Sequence, residues 1–193
     1  LIVAVPRILL TAILVVMGIV LFLLDVSVGS APQIDSESSW TEVLAWGAIH
    51  HVQWGKDIAY TYGPLGFLTP YYHHVSGAFA PFIAGQLLLA AAFSISIVSL
   101  LRRTSVAMLA FFAFAFVCAL PWMRGDTAWI LTLLFGTTAL IADGYAHSSP
   151  IRSILFVLFA LTSAVIAQIK FSVFPIWLLC VVALAAHGRR WRD

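Results

Sequence analysis

Charge is what this sequence has least of. Lys and Arg number 10 and Asp and Glu 8 in 193 residues, 9% of the chain. A soluble domain carries roughly a quarter charged residues. With 62% hydrophobic residues and a mean hydropathy of +1.03, the chain could not keep a globular surface wet, so its apolar excess is expected to face lipid. The net charge of +2, with basic residues scattered at segment ends, excludes a nucleic-acid partner. Only two cysteines occur, Cys118 and Cys180, both inside apolar runs, which reads as small buried hydrophobes rather than a disulfide. A small-x-small cleavage site is also missing after the first apolar run. Ile8 to Leu24 is long for a signal h-region, so a retained signal-anchor helix is expected. The chain starts at Leu1 and stops at Asp193 directly after an apolar run, as expected of the N-terminal part of a longer protein.

The apolar runs give the architecture. A membrane helix needs about 20 mostly apolar residues. Candidates are Ile2 to Leu24, Phe79 to Leu101, Val106 to Trp122, Ala128 to Ile141, Ile154 to Ala167 and Val173 to Ala186. The expected fold is therefore all-α, a polytopic transmembrane helix bundle of about six spans. It comprises a first span over residues 1–24, a long outer loop over 25–78, and the remaining spans over 79–193. The Lys and Arg bias sets the orientation. With a cytoplasmic N-terminus the inner loops hold Arg7, Arg102, Arg103, Arg152, Arg189, Arg190 and Arg192, and the outer loops hold only Lys56, Arg124 and Lys170. The expected location is a bacterial inner membrane with the long loop periplasmic.

A loop of about 50 residues is too long for a passive connector. Ser39-Trp40-Thr41-Glu42 fits a capping box, and Trp40 to Val52 suits a short helix held at the interface by Trp40, Trp46 and Trp54. Tyr62-Gly63-Pro64-Leu65 follows, with Pro64 suited to the first turn of a second short helix that Pro70 would end. The loop thus reads as two juxtamembrane helices, with Asp35 and Glu37 just ahead of the first. A carboxylate at a helix N-terminus is held ionised by unpaired amides and the dipole, the state a general base needs. By themselves such acids more often serve only to start a helix in a solvated loop. The pairs His50-His51 and His73-His74 read as interface-seeking side chains, since neighbours on a helix point apart, and no cluster specifies a metal. Arg124-Gly125-Asp126 is a tight outer turn, whose simplest reading is a surface ion pair, and Lys170 sits between two apolar runs, where a lysine often only snorkels. Yet all of these fall on the outer face, a suitable place for an anionic lipid-linked substrate.

This arrangement resembles the polytopic, lipid-linked-sugar-dependent glycosyltransferases of the GT-C fold, such as protein O-mannosyltransferases and aminoarabinose transferases of lipid A. Asp35-Ser36-Glu37 is similar to their acidic stretch at the start of the first outer loop, and Tyr62-Gly63-Pro64-Leu65 to their Pro-Pro-Leu-like stretch. Asp126 resembles their second acidic position, and Ile169-Lys170-Phe171-Ser172 their Lys-Phe/Tyr-Thr stretch. The pattern departs at Ser36, where members usually have an acid, and at Gly63, where some have the first proline. Members have more spans than this chain offers.

The resemblance implies an inverting transfer of a sugar from a polyprenyl-phosphate donor to an unidentified outer-face acceptor. Asp35 or Glu37 would be the catalytic base, with Lys170, Arg124, Asp126 and Tyr62 around the donor phosphate. The implied partners are the bilayer and the lipid-linked donor. No cofactor is specified, and a divalent cation is left open. The alternative is a transporter, a flippase or a non-catalytic polytopic protein. It predicts polar residues lining a path within the spans, which offer only neutral ones such as Gln86, Ser94, Thr132, Thr137 and Ser163.

Overall fold

The computed structural model describes residues 7–28, 36–58, 61–69, 77–102, 125–142 and 150–189, together with Ser105, Met108, Phe111, Phe112, Phe114, Ala115 and Cys118. The described residues are all-helical, apart from two isolated bridges. The α-helices are α1 (Arg7–Asp25), α2 (Ser36–Ile49), α3 (Phe79–Leu101), α4 (Asp126–Ala142), α5 (Pro150–Ile169) and α6 (Phe174–Arg189). Two of them, α1 and α3, are long and apolar enough to cross a membrane. At 1.5 Å per residue their 19 and 23 residues reach about 28 and 35 Å, close to the hydrocarbon thickness. Shorter apolar stretches follow at Asp126–Ala142, Leu155–Ile169 and Phe171–His187. In the expected third span, Met108, Phe111, Phe112, Phe114, Ala115 and Cys118 are helical, and the other residues lie outside the described set.

Four local expectations are corrected. α2 starts at Ser36, so Ser39 lies within the helix and the Ser39–Glu42 capping box does not form at its end. The residue before it in sequence is Asp35, itself a favoured N-cap type. At the other end α2 stops at Ile49 rather than Val52. There His51 adopts φ 54° and the Val52 amide donates back to the Gly47 carbonyl at 3.0 Å, a Schellman closure. The second juxtamembrane helix is reduced to a 3-10 turn, Gly66–Leu68, because the residues before it pair with another segment. Finally, Cys118 is exposed, while Cys180 is buried as expected.

Two apolar clusters hold the chain together. One joins Leu14 and Leu21 of α1 to Phe93, Ile97 and Leu101 of α3 and Ala128 of α4. The other joins Leu44 of α2, Tyr62 and Leu68 of the loop, and Leu133, Ile166, Ile169 and Cys180 of the last three helices. The long loop is therefore packed into the helices rather than draped over them. Many apolar side chains point outward as well, among them Ile8 at 85%, Leu23 at 65% and Leu179 at 69% exposure.

Candidate functional site

The last three helices explain why Lys170 stands where it does. Between α5 and α6 the chain leaves the helix at Lys170, with φ −142° and ψ 119°, then makes a 3-10 turn at Phe171–Val173. Pro175 falls in the first turn of α6, where its missing N–H removes no helical bond. The extended residue is paired: Gly63 N–H donates to the Ile169 carbonyl and Phe171 N–H to the Thr61 carbonyl, both at 2.9 Å. These two bonds flank Tyr62 and Lys170, which form an antiparallel bridge. Residues opposed in this non-hydrogen-bonded way bring their side chains closest together. Gly63 is required for this approach, since a Cβ there would lie 2.2 Å from the Gln168 carbonyl oxygen. Gly66 is similarly crowded, by the Cβ of Tyr62 at 2.8 Å and Leu44 Cδ1 at 2.9 Å.

Tyr62 is buried, and its ring lies against Trp40 of α2 at 4.3 Å between centroids. The Lys170 ammonium sits 4.8 Å from the Tyr62 ring centroid, within cation–π range. It also donates to Asp126 Oδ2 and hydrogen-bonds the Tyr62 side chain. Asp126 opens α4, where the helix dipole favours a carboxylate. Burial pulls the Lys170 ammonium towards deprotonation, but the bonds to Asp126 and Tyr62 and their charge outweigh it, so its pKa stands above the ordinary lysine value. The Lys170 side chain is 20% exposed and that of Asp126 41%, so the pair is reachable from outside.

Of the residues singled out by sequence, Tyr62, Asp126 and Lys170 are thus brought together from three distant segments. Asp35 and Arg124 lie outside the described residues. Glu37 belongs to the first turn of α2, the turn that precedes Trp40, and its carboxylate lies outside the described set. His50 donates through Nδ1 to the Trp46 carbonyl at 2.8 Å and stacks on the Trp46 ring, so it finishes α2. His73 and His74 lie outside the described residues. Among the described residues no three His, Cys, Asp or Glu side chains gather to hold a metal.

Two residues matter whose roles the sequence does not show, Gln86 and Asp25. Gln86 of α3 donates through Nε2 to the Leu68 carbonyl at 2.6 Å and is buried, so a polar residue inside an apolar run anchors the loop. Asp25, ending α1, lines a cavity of about 220 Å³ with Ser27, Gln86, Gly125 and Trp129. Its signal was an acid at the very end of an apolar run. This cavity and the Lys170 pair share the first turn of α4. The C-terminal ends of α1 and α5 and the N-terminal parts of α3, α4 and α6 therefore converge at one end of the molecule.

No family model matches the chain, and no curated protein or solved structure does.

Proposed function

We propose that this chain is a polytopic membrane glycosyltransferase domain with a GT-C-like arrangement, its converging helix ends on the outer face of a bacterial inner membrane. It would move a sugar from a polyprenyl-phosphate donor to an acceptor on that face. One observation carries the reading: a lysine fixed at its backbone, partly exposed, and gathered with Tyr62 and Asp126 at the ends of apolar helices. α1 and α5 end there while α3, α4 and α6 begin there, and a third span over Val106 to Trp122, running back between α3 and α4, would complete an up-and-down bundle. The outward apolar side chains of α1 and α6 suit a lipid boundary.

In the proposed reaction an acceptor hydroxyl attacks the anomeric carbon from the side opposite the phosphate. The new C–O bond forms as the C–O bond to phosphate breaks, and the electron pair leaves with the phosphate oxygen. Asp35 or Glu37 takes the hydroxyl proton. Lys170, with Arg124, meets the negative charge that grows on the leaving phosphate, where a positioned cation helps the transition state more than the ground state. Tyr62 positions the lysine, Asp126 pairs with it when no donor is bound, and a divalent cation is left open.

Transfer by the full-length protein, with a radiolabelled polyprenyl-phosphate sugar, tests both parts. Lys170→Met is expected to lower the rate about a hundredfold, in the range seen when one charge-stabilising donor is removed. Asp35→Asn or Glu37→Gln is expected to abolish transfer with donor binding retained. Normal transfer by both carboxylate variants would sink the base assignment.

The transporter or flippase reading is favoured by one observation, the polar cavity at Asp25 and Gln86. A transport path would have to continue between the spans. There a cavity of about 130 Å³ between α3, α4 and α5 offers Ser96, Ser99 and Thr162 among apolar side chains. Donor-lipid scrambling by vesicles without any transfer would favour it over the enzyme.

A further inference from the structure

Resting on the reading of Lys170 as the phosphate ligand, we infer that Asp126 is a built-in place-holder: it occupies the Lys170 ammonium in the empty site and is displaced by an incoming phosphate. The two halves of the contact are held very differently. The root of Lys170 is fixed, because the bonds from Gly63 to Ile169 and from Phe171 to Thr61 clamp the residues on either side. Its head is not fixed, since an ammonium is a compact charge with three rotatable donors and no planar fork to lock it to one carboxylate. Those donors are already engaged with Asp126 and Tyr62. A phosphate approaching the exposed side of the pair therefore meets a cation that is already neutralised.

Tyr62 and Asp126 differ as partners. Tyr62 is buried, stacked on Trp40 and bridged to Lys170 through the backbone, so it stays in place in either state. Asp126 is the more exposed member of the ion pair and follows Gly125, whose φ of 61° is a conformation that glycine adopts without strain. The carboxylate can turn towards solvent at little cost, since a carboxylate at a helix N-terminus remains favoured by the dipole there. The exchange is then one anion for another at a lysine that never loses a counter-charge. This keeps the site from holding an uncompensated cation when no donor is bound, and it weakens adventitious anions that cannot compete with an attached carboxylate.

The opposite role for Asp126 is to orient the lysine for phosphate, or to join in binding it. The two roles predict opposite signs. The full-length protein in lipid nanodiscs is titrated with farnesyl phosphate and, separately, with inorganic phosphate. The place-holder predicts that Asp126→Asn binds farnesyl phosphate about fivefold more tightly than wild type, the factor expected when a competing, partly exposed ion pair worth somewhat under 1 kcal/mol is removed. Asp126→Ser, which removes the charge with a smaller side chain, should give a gain of the same sign, guarding against a folding defect in one variant. A gain for both phosphates assigns the site to the phosphate group. A gain for farnesyl phosphate alone assigns it to a lipid-linked phosphate. Unchanged or weaker binding in both Asp126 variants, with Lys170→Met still weakened, overturns the place-holder and leaves Lys170 as phosphate ligand. Equal binding by wild type and Lys170→Met removes the functional reading itself and the place-holder with it.

Discussion

The packing of α1 on α3 and the seam between the loop and the α5–α6 junction bury similar kinds of side chain, yet they are built on different rules. Along α1 the contacts are Leu14 and Leu21 against Phe93 and Ile97, apolar surfaces that other apolar residues of similar volume could replace. Only 11% of the α1 span is buried, against 39% of that in α3, so most of α1 meets whatever surrounds the molecule. The seam instead depends on single atoms. A missing Cβ at Gly63, two backbone bonds around Tyr62 and Lys170, and one amide from Gln86 each have a single geometry that works. Specificity is concentrated where the chain departs from helix, and that is also where the charged groups lie.

Breaking the seam at its tightest point should have the largest effect. Gly63→Ala drives a Cβ against the Gln168 carbonyl oxygen, a backbone atom that cannot turn aside. We expect a loss on the order of 3 kcal/mol, seen as a large drop in Tm in detergent and as new accessibility of a thiol placed at the buried Val173. Next is Gln86→Leu, which removes the donor to the Leu68 carbonyl and leaves a buried acceptor without that partner. A loss of about 1–3 kcal/mol is expected in the same assay.

A smaller effect should appear only at alkaline pH. Because folding raises the pKa of Lys170, the stability it contributes is fully present below the ordinary value of 10.5 and is lost as pH climbs through the higher folded value. The difference in Tm between wild type and Lys170→Met should therefore be constant up to about pH 10 and shrink above it. A difference that grows with rising pH would contradict the sign of the shift. The smallest effect should come from the other region. Gly18→Ala meets only Val98 Cγ2, at 3.2 Å, a side-chain atom that can give. There the gain in helix propensity and the slight crowding should cancel to within about 1 kcal/mol. An effect at Gly18 as large as that at Gly63 would erase the contrast between the two regions.

The helical parts were the most legible. Phe79 to Leu101 was bounded correctly from hydropathy alone, since an uninterrupted apolar run flanked by Gly77 and Arg102 leaves little choice. The fourth and fifth runs, Ala128 to Ile141 and Ile154 to Ala167, fall inside helices that extend further, because helix ends accept polar residues such as Asp126, Arg152 and Gln168. The loop was legible in outline only. Pro64 after Gly63 looked like a helix start, but the N–H groups of Gly63 and Leu65 are bonded to a segment about a hundred residues away, and no local pattern encodes that pairing. Lys170 and Asp126 were singled out by charge in an apolar context, and their union needed the fold. In the sequence Gln86 is only one of the neutral polar residues within the spans, because its acceptor, the Leu68 carbonyl, belongs to a different element.

If the seam holds Lys170 to receive a lipid-linked phosphate, removing its charge must weaken that binding. The most direct test is the retention of a polyprenyl phosphate by the full-length protein purified into nanodiscs, compared between wild type and Lys170→Met at equal folded fraction. Loss of one charge-assisted contact to phosphate, worth about 1.5–3 kcal/mol, predicts binding weakened at least tenfold. Equal retention by the two proteins would contradict the account.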